Sequence, residues 1–225
     1  MFYTEPVVTL IARPQFVEPA HLGVAWLGEG TDGEKLAEFA GRICYMSQRN
    51  PAGRTTGEYL ENIKRQGHGS VLEHANYTLL LEGVSRSLTH ELVRHRAGFA
   101  YSQLSQRYVD ESDAHFVVPP AIVGEAALEA AWRAQVESAQ ASYVSLVDQL
   151  MERYAWVPDK VHRRKMAREA ARGVLPNSTE TKIVVTGNAR AWRTTLELRS
   201  SEAAELGIRR RAVAAIPRLK QGTPP

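Results

Sequence analysis

The side chains with the greatest capacity for chemistry lie together in the 15 residues from Arg94 to Tyr108. This stretch holds three arginines, one histidine, two serines and two glutamines, separated by aromatic and small residues. An arginine stays charged and offers a planar set of donors that matches a phosphate or a carboxylate. Because three such charges repel one another unless an anion lies among them, the stretch predicts a pocket for a phosphorylated, ring-containing ligand. The alternative for an arginine-rich run is a solvated, salt-bridged helix end.

The residues that lead into this stretch predict a helix from Ser85 to His95. Arg86, His90 and Arg94 recur on it every four residues, so they would share one face. That spacing directs a charged face into the arginine-rich stretch, where it would add donors for an anion.

Periodicity predicts the remaining elements, because β-branched runs favour strands and spacings of three and four favour helices. Strands are predicted at 7–12, 76–81 and 183–186, with a turn at Gly187-Asn188. Residues 116–119 are predicted to form a short strand or an extended entry to a helix. Helices are predicted after capping boxes at Thr31 and Thr55, and over 85–95, 125–154, 160–173 and 191–201. Strands scattered among long helices favour an α+β fold, with a mixed or antiparallel central sheet flanked by long helices.

The composition is that of an ordinary globular chain: of 225 residues, 44% are hydrophobic and 24% are charged. This length predicts one domain over 1–225 with a short, frayed C-terminal tail. The net charge of +3 is mild, whereas non-specific nucleic-acid binding usually shows a denser basic patch. No apolar run approaches the ~20 residues of a membrane span and no signal-peptide pattern opens the sequence. A cytoplasmic protein without a membrane contact is therefore expected.

The only cysteine, Cys44, cannot form an intrachain disulfide or a cysteine zinc site. No histidine or arginine is patterned to activate its thiol. Core packing is expected of Cys44, beside the apolar helix face of Leu36, Phe39, Ala40 and Ile43. Ser105 likewise lacks the base and aspartate that a nucleophilic serine needs.

Four of the seven histidines fall within 28 residues, namely His68, His74, His90 and His95. Their spacing does not match the His-x₃-His pattern of a helical zinc site. Glu73 and Glu91 could complete a metal site, but no metal is predicted. A histidine beside arginines is better suited to donate hydrogen bonds to a phosphate or a ring oxygen.

Several groups of residues resemble, in the same order along the chain, the motifs of the flavin-dependent thymidylate synthases. The family signature is Arg-His-Arg, seven or eight residues, then Ser, and Arg94 to Arg96 followed by Ser105 use the longer spacing. The other similar segments are Gly67 to His74, Ala171 to Pro176, Gly187 to Arg190 and Leu198-Arg199. Arg-His-Arg alone would be a weak signal, but the ordered set is specific.

The resemblance implies a single catalytic domain of that family's fold that converts dUMP to dTMP by reductive methylation. Methylenetetrahydrofolate would donate the carbon and NADPH would reduce a bound FAD, which carries the redox chemistry. Because hydride from the flavin would supply the activation, no enzymic cysteine nucleophile is needed. The resemblance also implies a homotetramer whose active sites are shared between subunits.

Matching positions imply the site residues. The residues similar to those that bind FAD are Ser70, Arg94, His95, Arg96, Gln103, Asn188, Arg190 and Thr194. The residues similar to those that bind dUMP are Arg86, Glu91, Arg94, Gln103, Leu104, Ser105, Gln106, Arg107, Arg172 and Arg199. Arg199 resembles the catalytic arginine that polarises the uracil ring, a role that suits a guanidinium because it stabilises negative charge without losing its proton.

Two positions depart from the family pattern. Threonine stands at Thr194, where family members usually carry His or Asn against the flavin. Alanine stands at Ala203, where another histidine often follows the uracil-binding arginine. A hydroxyl at 194 has a shorter reach, and no contact is assigned to Ala203.

Two other functions compete with the one that the family resemblance implies. The basic triplets at 163–165 and 209–211 could belong to a nucleic-acid or nucleotide-binding module, although no familiar nucleic-acid motif surrounds them. The histidine group could alternatively serve a hydrolase that acts on phosphate esters. Only the flavin enzyme predicts a yellow protein that NADPH bleaches.

Overall fold

The computed structural model describes residues 2–3, 5–22, 29–47 and 54–199. The chain divides into two compact units, and each is taken by itself below. Unit 1 comprises residues 1–7, 81–94 and 102–183, and unit 2 comprises residues 8–80, 95–101 and 184–225. The prediction of one domain over 1–225 stays a prediction, and its C-terminal tail lies outside the described residues.

Among the described residues, six strands form two sheets. The strands are β1 (Phe2–Tyr3), β2 (Val7–Ala12), β3 (Asn76–Ser85), β4 (Phe99–Gln103), β5 (Phe116–Val117) and β6 (Glu180–Asn188). An antiparallel sheet has the order β2-β3-β6-β4. A small parallel sheet pairs β1 with β5, in the register Phe2 to Phe116 and Tyr3 to Val117. Together with the helices, these sheets confirm the predicted α+β fold.

The residues that the structure describes also form six α-helices. They are α1 (Asp32–Cys44), α2 (Thr56–Arg65), α3 (Arg86–Leu92), α4 (Ala126–Arg153), α5 (Lys160–Ala171) and α6 (Ala189–Arg199). In the described ranges, short 3₁₀ helices lie at Ala20–Leu22, Gly69–Glu73 and Arg172–Val174. In the part of the chain that the structure describes, no helix is long and apolar enough to cross a membrane.

Both predicted capping boxes are present in unit 2. At α1 the Thr31 hydroxyl accepts from Glu34 N at 3.4 Å, while Glu34 Oε2 accepts from Thr31 N at 2.9 Å. At α2 the same exchange joins Thr55 and Glu58, at 3.2 Å and 2.9 Å. Each box satisfies backbone donors that the first turn of a helix leaves without a partner, so these two starts are encoded locally.

The buried face of α1 differs from the apolar face that the sequence predicts. The fully buried positions are Gly33, Ala37, Glu38, Gly41 and Arg42, whereas the predicted apolar residues are half-buried. Glu38 and Arg42 form an ion pair at 2.7 Å in that buried face. Cys44 is exposed, with its thiol donating to Ala40 O at 3.2 Å, so the prediction of core packing for Cys44 is wrong. Close packing selects small residues for this face, which hydrophobic spacing cannot reveal.

In unit 1, the long helix α4 is less buried than its apolar row suggests. Only Val136 and Tyr143 are fully buried among its residues. Val136 packs in a cluster with Ala114 and Phe116, and the half-buried Trp132 joins it. Tyr143 also accepts a hydrogen bond from the backbone of the loop that follows β4, since Glu111 N donates to Tyr143 Oη at 3.4 Å.

The helix predicted from Ser85 to His95 is shorter in the structure. Ser85 caps α3, but the helix ends at Leu92, so Arg94 and His95 lie outside it. The predicted charged face is therefore wrong beyond the first seven residues of the helix. The chain has to leave the helix in order to enter β4, which pairs with β6. Gly98 adopts a φ of +78° between the two elements, a conformation that glycine takes without strain.

The turn predicted at Gly187-Asn188 is also wrong, because both residues end strand β6. Gly187 is buried, and a Cβ there would lie 2.4 Å from Phe99 Cε1 and 2.9 Å from Trp192 Nε1. The rings of Phe99 and Trp192 meet edge-on, with centroids 5.0 Å apart. Glycine at 187 therefore permits close packing of these rings within unit 2 rather than a change of chain direction.

Candidate functional site

A cavity of about 610 Å³ lies in unit 2. Three chain segments line it: the end of the 3₁₀ helix at Glu73, the approach to β4 with its first residue, and the end of β6 with the first half of α6. The lining residues are Glu73, His95, Arg96, Ala97, Gly98, Phe99, Asn188, Arg190, Ala191, Thr194 and Thr195. Its volume suits an organic ligand with several rings, since small-molecule sites usually measure about 300–1,000 Å³.

Asn188 joins two of these segments. Its backbone N donates to Gly98 O at 3.1 Å, and its side-chain Oδ1 accepts from Ala191 N at 2.8 Å at the start of α6. A Cβ at position 98 would lie only 2.5 Å from Asn188 Nδ2 and 2.9 Å from Ala191 Cβ. The absence of a side chain at Gly98 thus lets the approach to β4 lie directly against α6.

Arg190 and Glu73 supply opposite charges to the cavity. Arg190 Nη1 donates to Glu73 Oε1 at 2.6 Å, and both side chains are about half exposed. A Cβ on Gly69 would lie 3.2 Å from Arg190 Nε, so the arginine side chain runs along the bare backbone of the 3₁₀ helix. An exposed pair of this kind adds little stability, but it fixes the direction of the guanidinium.

A second polar contact in unit 2 joins His95 to Arg199. Arg199 Nε donates to His95 Nε2 at 2.9 Å, and both residues are partly buried. The backbone of His95 is held separately, because Tyr101 Oη donates to His95 O at 2.5 Å. Burial raises the pKa of Tyr101 to about 12, so its hydroxyl stays a donor at all ordinary pH values.

Unit 1 contains a set of four charged residues, Arg86, Glu111, Arg172 and Glu180, called the charge cluster below. Arg86 Nη2 donates to Leu104 O at 2.9 Å, and Glu180 Oε1 accepts from Gly83 N at 2.9 Å. Burial lowers the pKa of Arg86, the charge of Arg172 lowers it further, and Glu111 and Glu180 oppose both effects. Two mutually repelling guanidiniums in a partly desolvated place are a suitable setting for an anion.

Within the charge cluster, Glu111 has the most unusual environment for a carboxylate. Its side chain is buried, and its Oε1 has no hydrogen-bond partner among the described residues. Burial raises the pKa of Glu111 to about 7, with Arg86 and the nearby Gln106 side chain opposing the shift and Glu180 and Asp110 adding to it. In the same part of the chain, Arg86 Nε and Gln106 Nε2 are also buried without a described partner. These orphaned atoms leave unit 1 with hydrogen-bonding capacity that a ligand or water could satisfy.

The loop after β4 is held by contacts within unit 1. Gln103 Nε2 donates to the hydroxyls of Thr89 and Thr181, at 3.1 Å and 3.3 Å. Arg107 N donates to Ser105 Oγ at 3.3 Å, and Arg107 Nε donates to Glu169 at 3.0 Å. Gln103 is therefore tied to neighbouring threonines, and Arg107 to a carboxylate on α5.

The structure assembles part of the predicted cofactor set. Five predicted residues line the cavity: His95, Arg96, Asn188, Arg190 and Thr194. Ser70 is exposed in unit 2 and does not line it, while Arg94 and Gln103 belong to unit 1. Arg94 is largely exposed and lies 3.5 Å from Glu91. The side chain of Thr194 caps back onto its own helix, with Oγ1 donating to Arg190 O at 3.1 Å.

The predicted nucleotide set lies in unit 1 with one exception. The unit 1 members are Arg86, Glu91, Arg94, Gln103, Leu104, Ser105, Gln106, Arg107 and Arg172, and Arg199 belongs to unit 2. Ala203 lies outside the described residues. Within the described ranges, no group of three or more His, Cys, Asp or Glu side chains could hold a metal ion.

Sequence reasoning did not select six of the residues that line the cavity. They are Glu73, Ala97, Gly98, Phe99, Ala191 and Thr195. Glu73 lies inside a segment that the family resemblance covers, so that resemblance was the available signal. The others carry no reactive group, and their importance comes from the space that they leave or fill. That kind of role becomes visible only when the cavity is formed.

Comparison with known proteins gives a consistent result. Residues 27–225 match the family model described as "Thymidylate synthase complementing protein". A protein of Mycobacteroides abscessus named flavin-dependent thymidylate synthase is 48% identical over 219 residues, covering 96% of this chain and 86% of that protein. A protein of the same name from Mycobacterium tuberculosis is 47% identical over 227 residues, covering 100% of this chain and 90% of that protein. The chain belongs to the flavin-dependent thymidylate synthase family of enzymes.

Proposed function

We propose that this chain catalyses the reductive methylation of dUMP to dTMP, with FAD as its flavin, methylenetetrahydrofolate as carbon donor and NADPH as reductant. The observation that carries the proposal is the cavity of about 610 Å³ in unit 2, which brings together residues from motifs more than 90 positions apart. Its relatives bear the name flavin-dependent thymidylate synthase. The cavity is large enough for an extended cofactor, and its lining suits one that combines rings with phosphates.

The lining residues fit FAD by their chemistry. Arg96 and Arg190 would hold the diphosphate, because guanidinium donors match phosphate oxygens. Ala97 and Gly98 leave the backbone accessible to a flat ring, and Phe99 offers an aromatic surface beside it. Bound there, the flavin would supply hydride transfer, while this chain would supply orientation and charge. Ser70, Arg94 and Gln103 are proposed for the same cofactor from the family resemblance.

The charge cluster and the loop after β4 fit the phosphate of dUMP. Arg86 and Arg172 repel each other, and an anion between such groups would relieve that repulsion. Ser105 and Gln106 belong to the same loop, and Gln106 Nε2 is buried without a described partner. Glu91, Arg94, Gln103, Leu104 and Arg107 complete the proposed nucleotide set. We assign Arg199 to the uracil ring, where it would stabilise the negative charge that develops during the reaction.

No cysteine takes part in this proposal. Cys44 is exposed at the end of α1 and is not among the residues that line the cavity. Its thiol donates to Ala40 O at 3.2 Å. A mechanism without an enzymic nucleophile suits this arrangement, because the flavin supplies the activation.

The nucleic-acid alternative has less support from the basic triplet at 163–165. Arg163 Nε donates to Val157 O at 3.0 Å, and its Nη2 donates to Ala155 O at 3.0 Å. The ammonium group of Lys165 lies 5.1 Å from the centre of the Tyr108 ring. Two members of the triplet therefore stabilise unit 1 itself. The triplet at 209–211 lies outside the described residues.

We propose a cytoplasmic homotetramer with shared active sites, as the family resemblance implies.

The visible spectrum of the purified protein tests the proposal. We expect flavin absorbance that NADPH bleaches, and formation of dTMP when dUMP and methylenetetrahydrofolate are added. Replacing NADPH by NADH in the same assay would identify the preferred reductant. A colourless protein that neither takes up added FAD nor forms dTMP would overturn the proposal.

A further inference from the structure

The contact between His95 and Arg199 joins two residues that are 104 positions apart. His95 follows α3, and Arg199 ends α6. Its geometry has a defined direction: Arg199 Nε donates and His95 Nε2 accepts, at 2.9 Å. The imidazole is anchored through its own backbone, because Tyr101 Oη donates to His95 O. The backbone of the acceptor residue is therefore held in place, and the long side chain of Arg199 extends to its ring.

The chemistry of this contact restricts the protonation state of His95. A guanidinium does not give up its proton in a protein, so Arg199 can only donate. The imidazole nitrogen that accepts must therefore be unprotonated, with the ring proton on Nδ1. An imidazolium would lose this hydrogen bond and would also repel the guanidinium.

The surroundings of His95 favour the neutral ring. The charged groups that line the same cavity are Arg96 on its own segment, Arg190 on α6 and Glu73 on the 3₁₀ helix. Glu73 is already paired with Arg190, so its charge is largely offset. Arg96 and Arg199 carry positive charge, and like charges oppose a further positive charge on the imidazole.

We propose that His95 is a positioning residue for Arg199: the neutral imidazole holds the guanidinium plane by accepting its Nε hydrogen. The proposal rests on the proposed function, which assigns Arg199 to the uracil ring. A bond to Nε orients the whole planar group, because the three guanidinium nitrogens share one plane. Protonation of His95 releases Arg199, so the rate of dTMP formation falls on the acid side while the dUMP phosphate contacts in unit 1 persist.

Two substitutions of His95 separate the acceptor from the ring. His95→Phe keeps a planar ring but removes the acceptor, whereas His95→Gln keeps an acceptor oxygen. We expect kcat of His95→Phe to fall by up to about 10²-fold, the usual cost of a misplaced catalytic group, with little change in KM for dUMP. His95→Gln should recover much of that loss, and the acid limb that His95 contributes to the pH profile should be missing from both variants. Rates are taken per bound flavin, because His95 also lines the cavity.

A second measurement depends on neither flavin nor activity. In the full chain labelled with ¹³C in its histidine rings, NMR follows protonation of His95 in wild type and in Arg199→Met. Loss of the guanidinium should move the midpoint of the His95 titration to higher pH. Arg193→Met is the matched control, because Arg193 lies on the same helix but pairs with Glu197 at 2.8 Å. The exposed His74 serves as an internal reference.

The outcomes distinguish this inference from the proposed function. An unchanged His95 midpoint in Arg199→Met would overturn the positioning role, even if the wild type forms dTMP. A shifted midpoint in a wild type that forms no dTMP would leave the contact intact and reject the function. Full activity of His95→Phe with normal flavin content would also overturn the positioning role.

Discussion

The cavity in unit 2 carries half-exposed charges, whereas the charge cluster in unit 1 includes two buried carboxylates, Glu111 and Glu180. Arg190 and Glu73 pair with each other at 2.6 Å and remain about half open to solvent. Glu111, in contrast, is buried with an oxygen that has no described partner. Burying a charge costs far more than pairing one at a surface. The charges of the cavity thus cost little before a ligand binds, while the charge cluster already carries the cost of desolvated charged groups.

This difference predicts two kinds of mutational effect. Substitutions that remove charges from the cavity should weaken ligand binding or chemistry and leave the free energy of unfolding nearly unchanged. Substitutions in the charge cluster should change stability as well as binding, because the groups there are desolvated before any ligand arrives.

The largest effect is expected at Arg199, which belongs to unit 2 although the other proposed nucleotide residues belong to unit 1. Arg199→Ala should lower the rate of dTMP formation by roughly 10²–10³-fold, the usual cost of losing one preorganised donor. Affinity for dUMP should change less, because the residues proposed to contact its phosphate belong to unit 1. The measurement is dTMP yield beside flavin reduction by NADPH. Arg199→Lys keeps the charge but not the planar donors, so it should not rescue fully. Near-normal rates in both variants would remove Arg199 from the mechanism.

An intermediate effect is expected at Arg190. Arg190→Ala removes a charge-assisted contact worth about 1.5–3 kcal/mol, so FAD affinity should fall roughly 10- to 100-fold. Equilibrium titration of FAD, followed by flavin fluorescence, measures it. Arg193→Ala is the control, since Arg193 is exposed on the same helix and outside the cavity lining. Equal losses of FAD affinity in both variants would mean that Arg190 contributes only to the overall positive charge of the helix and does not contact FAD directly.

A change in stability without a change in fold is expected at Glu111. Burial raises the pKa of Glu111 to about 7 from the ordinary glutamate value of 4.5, so the native state binds more protons than the unfolded state between these two pH values. Stability should therefore fall as the pH rises through this interval. Glu111→Gln carries no ionisable group, and it should remove that slope and exceed wild type in stability at pH 8. Urea unfolding at pH 5 and pH 8 measures both. If the two proteins keep the same pH dependence, the carboxyl of Glu111 ionises freely in the native state.

The smallest effect is expected at Cys44. Because its side chain is exposed, Cys44→Ser should change the free energy of unfolding by less than about 0.5 kcal/mol. Formation of dTMP should continue at a similar rate, since the proposal gives the thiol no role. Thermal unfolding and the dTMP assay are sufficient. A folded variant that makes no dTMP would contradict a mechanism without a cysteine nucleophile.

Sequence by itself determined the features whose signals lie within one turn or one strand. The capping boxes at Thr31 and Thr55 need residues only three positions apart, so both helix starts were predictable. Strand β2 matches its predicted range 7–12, because a β-branched run and a following proline act locally. The ordered motifs likewise identified the family, since residue identity and spacing carry that information.

Tertiary structure alone decided the features that depend on distant neighbours. Helix α3 ends at Leu92 because the chain goes on to pair as β4, and no local residue announces that end. Gly187 remains in a strand because the rings of Phe99 and Trp192 pack where its side chain would be. The contact of Arg199 with His95 spans 104 positions. Such contacts form only when the folded chain brings the segments together, because periodicity records which face a residue occupies and not what lies opposite that face.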